Sequence, residues 1–165
     1  MVVNVLAIVQ ARMGSTRLPG KVLKEVNGKP LIEILFHRLS QSKNIDKIIL
    51  ATAEIKDNDC LAETVEKLGF DVFRGSEDDV LDRYYQAAKQ YSPEAVVRIT
   101  GDCPIIDPML VDEIIGLYQE NSLDYVSNTE PPTFPDGLDT EVFSFSALEM
   151  AHEQATKSFE REHVT

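Results

Sequence analysis

Short apolar runs alternate with stretches of helical periodicity along these 165 residues, and few architectures accommodate that alternation. Val2 to Val9 is almost continuously apolar, as suits a strand covered on both faces. Lys21 to Val26 and an Asn27-Gly28 turn follow, and Pro30 opens a helix with Leu31, Ile34, Leu35 and Leu39 on one side. Asp46 to Thr52 reads as a second strand. A helix from about Asn58 to Leu68 buries Leu61, Ala62, Val65 and Leu68, with Gly69 at its C′ position. Phe70 to Phe73 is a third, short strand. Ser76 with Asp79 resembles a capping box ahead of a helix carrying Val80, Leu81, Tyr84 and Ala88. Ala95 to Thr100 is a fourth strand, Pro108 starts another helix, and Asp124 to Ser127 is a fifth strand. Glu130 to Gly137 is a proline-rich loop, Glu141 to Phe145 a further strand, and Ser146 with Glu149 caps the last helix. Alternation of this kind implies parallel strands with helices on both faces. The expected fold is therefore a three-layer α/β/α arrangement with a mostly parallel, Rossmann-like sheet, in a single domain over 1–165.

Composition narrows the partners. The hydrophobic fraction of 43% and charged fraction of 27% are those of ordinary soluble proteins, and the length is enough to close a core. A net charge of −12 with no basic tail or stripe argues against nucleic acid and against an acidic membrane surface. No stretch approaches the length of a membrane span, and Met1-Val2-Val3-Asn4 lacks the charged start of a secretion signal. Cys60 and Cys103 have neither metal-ligand nor redox spacing and read as reduced thiols, so the expected location is cytoplasmic.

In open α/β sheets, ligands bind beyond the carboxyl ends of the strands. Beyond the first strand lies Gln10-Ala11-Arg12-Met13-Gly14-Ser15-Thr16-Arg17-Leu18-Pro19-Gly20-Lys21. Its glycines admit close approach of backbone N–H groups, its hydroxyls donate hydrogen bonds, and Arg12, Arg17 and Lys21 neutralise charge. That chemistry suits phosphate. The loop is not a Walker A sequence, because five residues separate Gly14 from Gly20 and Val22 stands where a magnesium-binding hydroxyl is needed. Beyond the fourth strand lies Gly101-Asp102-Cys103-Pro104. An Asp in that turn, facing the basic loop, is placed to hold a hard divalent cation against a phosphate, although Asp in turns is common for local reasons.

Together these stretches resemble the cytidylyltransferases that make CMP-activated acidic sugars. The loop from Gln10 to Lys21 resembles their opening motif, and Arg98-Ile99-Thr100-Gly101-Asp102-Cys103-Pro104 their magnesium-binding turn. With Phe73 to Arg83 and Glu160-Arg161-Glu162-His163-Val164-Thr165, the similarity is greatest to the branch acting in spore coat polysaccharide biosynthesis. The resemblance implies a fold of the GT-A nucleotide-diphospho-sugar transferase type and Mg²⁺-dependent transfer of CMP from CTP to an acidic or modified sugar, with release of pyrophosphate. It implies Gln10, Ala11, Arg12, Gly14, Ser15, Lys21 and Arg98 as nucleotide-binding residues. Arg12, Lys21 and Asp102 are the expected catalytic residues, with Asp102 on the metal. Arg74, Arg83, Asp139 and His163 are expected to contact the sugar. CTP, or another nucleoside triphosphate, and a sugar acceptor are the expected partners, with a homodimer left open.

Two departures qualify the resemblance. Val22 follows Lys21 where synthetases for sialic acid-type sugars carry Asn, which counts against such a substrate. Relatives also continue past the Glu-His-Val-Thr match and carry a second metal-binding Asp there, so this chain is expected to be truncated at its C-terminal end. Otherwise Asp139 and Glu141 must serve in place of that second ligand. Two other readings share the same residues: a glycosyltransferase using a finished nucleotide sugar, disfavoured by the missing Asp-x-Asp motif, and a nucleotide- or sugar-binding assembly protein without catalysis.

Overall fold

The computed structural model describes residues 4–15, 17–121 and 123–165, so Val2 and Val3 of the expected first strand, and Thr16 of the loop, lie outside the described residues. The first strand, β1 (Val5–Gln10), is the centre of a six-stranded sheet. It lies parallel to β4 (Lys47–Ala53) on one side and β6 (Ala95–Thr100) on the other, and β5 (Asp71–Gly75) extends the sheet beyond β4. A small hairpin of β2 (Glu25–Val26) and β3 (Lys29–Pro30) stands apart, joined through Asn27 and Gly28, both at positive φ as a tight hairpin turn requires.

Alternation along β1 builds the layers. Val5, Ala7 and Val9 face one side and pack with α1 (Leu31–Leu39), α2 (Asp59–Lys67) and α4 (Pro108–Asn121). Leu6 and Ile8 face the other and pack with α3 (Val80–Lys89) and α5 (Phe145–Gln154). Every residue from Val5 to Val9 is buried, which is why the run is apolar without interruption. The result is the three-layer, mostly parallel fold that the alternation implies.

The far edge of the sheet departs from simple alternation. The chain passes from β6 through α4 to β7 (Tyr125–Ser127), then returns with no intervening helix as β8 (Glu141–Ser144). A return without a helical crossover reverses direction, so β8 inserts between β6 and β7 and is antiparallel to both.

Helix ends also differ from the expected ones. Asp79, not Ser76, caps α3: its Oδ1 accepts from the Asp82 amide at 2.8 Å, while Ser76 Oγ accepts from the Asp79 amide at 3.0 Å. Likewise Ser144, two residues before Ser146, caps α5 by accepting from the Ala147 amide at 3.0 Å. In both cases several short polar side chains precede the helix, and the backbone entry angle selects among them. A last short helix, α6 (Ser158–His163), follows α5 and was not signalled by apolar periodicity, because none of its residues is buried. Among the described residues no helix is long and apolar enough to cross a membrane.

The carboxyl ends of β1 and β6 meet closely. Gly101 donates its amide to the Gln10 carbonyl at 2.7 Å, and a Cβ placed on Gly101 would lie 2.5 Å from the Ala11 Cβ and 3.0 Å from the Gln10 carbonyl oxygen. No side chain fits there. Gly101→Ala should therefore lower stability by about 1–3 kcal/mol, as overpacking does, with Ala11→Gly in the same chain recovering part of the loss. Urea unfolding of the two variants checks this; an unchanged midpoint for Gly101→Ala would show that the strand ends part without cost.

At the opposite edge, Lys47 Nζ lies 2.7 Å from Asp71 Oδ2, and the Tyr91 hydroxyl donates to the same oxygen at 2.8 Å. Hydrogen bonds from Lys47 and then Tyr91 hold the Asp71 carboxyl below its ordinary value of 3.8. A depressed carboxylate contributes stability that is complete above the unfolded pKa and lost as pH falls through the folded one. Asp71→Asn should thus destabilise at pH 7 more than at pH 3, by a small amount because the pair is half exposed. Thermal melts at both pH values measure the difference, and equal losses would sink the assignment.

Candidate functional site

The loop leaving β1 is fixed from three sides. Met13 donates its amide to Asn58 Oδ1 at 2.9 Å, and Asn58 Nδ2 donates to the Ala53 carbonyl at 3.1 Å. Asn58 is fully buried, so this side chain stitches the loop to the end of β4. The Met13 carbonyl accepts from the amides of Ser15 and Gly20, both at 2.9 Å, and Ser15 Oγ accepts from the Leu18 amide at 3.3 Å. Gly20 adopts φ +67°, which lets the chain reverse into a single 3₁₀ turn over Lys21–Leu23. Val22 anchors that turn in the core, which explains why an apolar residue follows Lys21. Gly14 has open space around its Cα, so room beside the loop rather than a steric need marks that position.

Lys21 is thereby aimed at the end of β6. Its Nζ donates to Asp102 Oδ2 at 2.7 Å. Burial alone would raise the Asp102 carboxyl; hydrogen bonds from Lys21 and Thr100, with the Lys21 charge, outweigh it and hold the group below its ordinary value. Gln10, Ala11, Arg12, Ser15, Arg17, Lys21, Arg98 and Asp102 line one cavity of about 260 Å³. All the residues expected to bind nucleotide line it except Gly14.

Asp139 lies near this turn. Its carboxyl is pushed up first by burial and then by the charges of Asp136 and Asp102. Among the described residues no group of three or more His, Cys, Asp or Glu side chains is assembled for a metal. Glu141 is placed otherwise than expected of a ligand. It is 7% exposed, its Oε1 pairs with Arg98 Nη1, and its Oε2 accepts from the Tyr125 hydroxyl at 3.0 Å and from the Thr165 hydroxyl. A buried carboxylate with three donors is held by them, so Glu141 is engaged here by Arg98, Tyr125 and Thr165.

A second cavity, of about 390 Å³, adjoins the first and is lined by Glu77, Asp78, Arg83, Ser158, Glu162 and His163 together with Gln10, Arg12 and Arg98. Arg83 forms its floor. It is 2% exposed, donates to the backbone carbonyls of Ser76 and Glu77, and leaves its Nε without a partner among the described residues. Burial pushes its pKa down from the ordinary value. The wall is α6, held by Arg161: its Nε donates to Asp79 Oδ2 at 2.7 Å and its Nη1 to the His152 carbonyl at 2.8 Å. His152 in turn stacks on Tyr85 with ring centroids 4.2 Å apart and meets Asp82 Oδ1 at 2.9 Å. Arg83 and His163 thus come together with Arg12 and Arg98.

Arg74 does not join them. It donates to the Ile55 carbonyl at 2.8 Å and to Asp59 Oδ1 at 2.6 Å, tying β5 to the start of α2, and it lines neither cavity. A guanidinium already satisfied by a local carbonyl and carboxylate is a structural clamp. Asn58, Gly101 and Arg161 shape the site without having been expected to do so. The sole sequence signal for Asn58 was a polar residue at a helix start, and that reads equally as a cap.

With this geometry in view, relatives place the chain. The profile of the cytidylyltransferase family matches residues 6–165. The chain is similar to an uncharacterised protein of Methanocaldococcus jannaschii, at 45% identity over 98% of this chain and 65% of that protein. It is also similar to the spore coat polysaccharide biosynthesis protein SpsF of Bacillus subtilis, at 40% identity over 98% of this chain and 68% of that one. Among solved structures, a cytidylyltransferase from Leptospira borgpetersenii superposes with a TM-score of 0.91 at 36% identity, covering 99% of this chain and 69% of the other. The chain therefore spans about two thirds of the length of each of these relatives. On the match over residues 6–165 and on the shared fold, this protein belongs to the cytidylyltransferase family.

Proposed function

We propose that the chain binds CTP and transfers its CMP group to a hydroxyl of an acidic or modified sugar, releasing pyrophosphate, in the biosynthesis of a surface polysaccharide. The observation that carries this reading is the meeting of the Lys21 ammonium and the Asp102 carboxylate, 2.7 Å apart, at the mouth of a loop with Arg12, Ser15 and Arg17 on its rim. Side by side, a cation for phosphate and an anion for a phosphate-bound metal are what a nucleotidyl transfer site needs. The acidic sugar rests on the second cavity, where Arg83 and His163 face the same space as Arg12.

In the transfer, the acceptor oxygen forms a bond to the α-phosphorus, the bond between the α- and β-phosphates breaks, and the hydroxyl proton passes to solvent. Negative charge grows on the departing pyrophosphate. Lys21 and Arg12 stabilise that charge, and Ser15 and the amides of the loop orient the phosphates; because these groups sit on a stitched loop, little reorganisation accompanies the reaction. The carboxylates of Asp102 and Asp139 fit Mg²⁺, whose charge would relieve their mutual repulsion. Held there, Mg²⁺ would supply charge neutralisation for the phosphates. Lys21 pairs with the Asp102 carboxylate, and with each side chain partly exposed the ion pair is a weak one that yields readily to phosphate and metal.

Lys21→Ala should weaken CTP binding about ten- to a hundredfold, the value of one charge-assisted phosphate contact, while far-UV circular dichroism stays unchanged. Lys21→Arg should recover only part of this, since a planar fork does not replace a point charge. An unaltered dissociation constant for CTP would remove the loop from the site. Asp102→Asn keeps the shape of the side chain and loses the anionic ligand, so it should abolish the gain in CTP affinity that Mg²⁺ brings and leave metal-free binding nearly unaffected. A thermal-shift series with CTP, UTP, GTP and ATP, each with and without Mg²⁺, reads both effects and the base preference. A mutant magnesium titration that overlays the wild type would reduce Asp102 to a turn residue. Pyrophosphate release from CTP and a sugar, rather than nucleoside diphosphate release from a nucleotide sugar, separates this activity from a glycosyltransferase.

A further inference from the structure

The two cavities share three residues, Gln10, Arg12 and Arg98. Given the reading above, the terminal phosphates lie beside Lys21 in the first cavity. Bond exchange then takes place where the cavities meet, since the transferred phosphorus must see both the leaving group and the acceptor. We propose that Arg98 is the contact for that phosphoryl group, the α-phosphate of CTP, and that Glu141 is the positioning residue that aims Arg98 at it.

Three features favour Arg98 for this role. It stands on β6, in register with Ile8 at the centre of the sheet, so its base is rigid where the loop carrying Arg12 is exposed. Its guanidinium pairs with Glu141 through Nη1 and lies beside the buried Tyr84 hydroxyl, while Nε has no partner among the described residues. Glu141 cannot turn away, because it faces Arg98 across the β6–β8 ladder and its second oxygen is held by Tyr125 and Thr165. A fork clamped along one side presents its remaining N–H groups in a fixed direction, which is how Arg recognises phosphate. The pairing also explains a buried Glu beside the apolar Val142 and Phe143 of β8, and it leaves the junction of the two cavities without a surplus charge until Arg12 is counted.

The test separates the phosphates by using ligands that carry different numbers of them. Equilibrium binding of cytidine, CMP and CTP is measured in EDTA for the wild type, for Lys21→Ala and for the double variant Arg98→Met/Glu141→Gln. The pair is removed together so that no buried charge is left unmatched. The expected result is that the double variant weakens CMP and CTP by the same factor, about tenfold or more, and moves cytidine by less than about twofold. Lys21→Ala, in contrast, should weaken CTP far more than CMP. Equal loss for cytidine would place Arg98 at the base or in the fold; loss confined to CTP would place it at the terminal phosphates; no loss would remove it from the site. Each of those outcomes overturns the assignment while the Lys21→Ala result still reports on CTP binding. Failure of Lys21→Ala to affect CTP overturns the cytidylyl-transfer reading itself, and the Arg98 assignment with it.

Discussion

Everything at this site depends on how closely two strands approach at their carboxyl ends. The Gly101 amide reaches the Gln10 carbonyl at 2.7 Å, and the space a Cβ would need is already filled by Ala11. That contact brings the turn holding Asp102 beneath the loop holding Lys21. Parallel neighbours in such a sheet open a crevice at their ends, where loops diverge. Here the crevice is kept narrow by one missing methyl group, so an ammonium and a carboxylate 81 positions apart in the chain are within hydrogen-bonding distance.

The rest of the site is built on supports drawn from the core. Asn58, fully buried, ties the loop after β1 to the end of β4; Val22, buried two residues after Gly20, pins the turn that follows. On the far side Asp79 does two things with one carboxylate, capping α3 with Oδ1 and receiving Arg161 with Oδ2. The short helix α6, which buries nothing of its own, is therefore positioned by a guanidinium together with Val164, buried just after it. Polar groups arranged this way before any ligand arrives need not be ordered at the moment of reaction.

The layers and the site were legible to different depths. The apolar run of β1 and the periodicities after it imply the three-layer sheet because burial on both faces leaves a pattern in the sequence itself. The glycine- and cation-rich loop was legible for the same reason: its composition is unusual for a turn. What could not be read lay in contacts between distant residues. Nothing adjacent to Glu141 signals that it answers Arg98, and an Asp-rich run resembled a ligand set until the register of β6 and β8 matched the two. Arg74 reads as a sugar contact in the sequence because its acceptors, the Ile55 carbonyl and Asp59, come from another element. The caps shifted by two or three residues because Ser76 and Asp79, or Ser144 and Ser146, are chemically alike, and only the path of the backbone distinguishes them.

The pairing of Lys21 with Asp102 has a consequence for the approach of the nucleotide. At the mouth of the crevice those two opposite charges cancel each other, while the body around them carries a net charge of −12. At physiological ionic strength the charge of the body is screened beyond about 8 Å, so it adds little to the field at a distance. Within that range Arg12 and Arg17, which line the same cavity, keep the crevice locally cationic although Lys21 is paired. On the reading proposed above, a triphosphate is therefore held by charges local to the crevice and not steered by the net charge of the body.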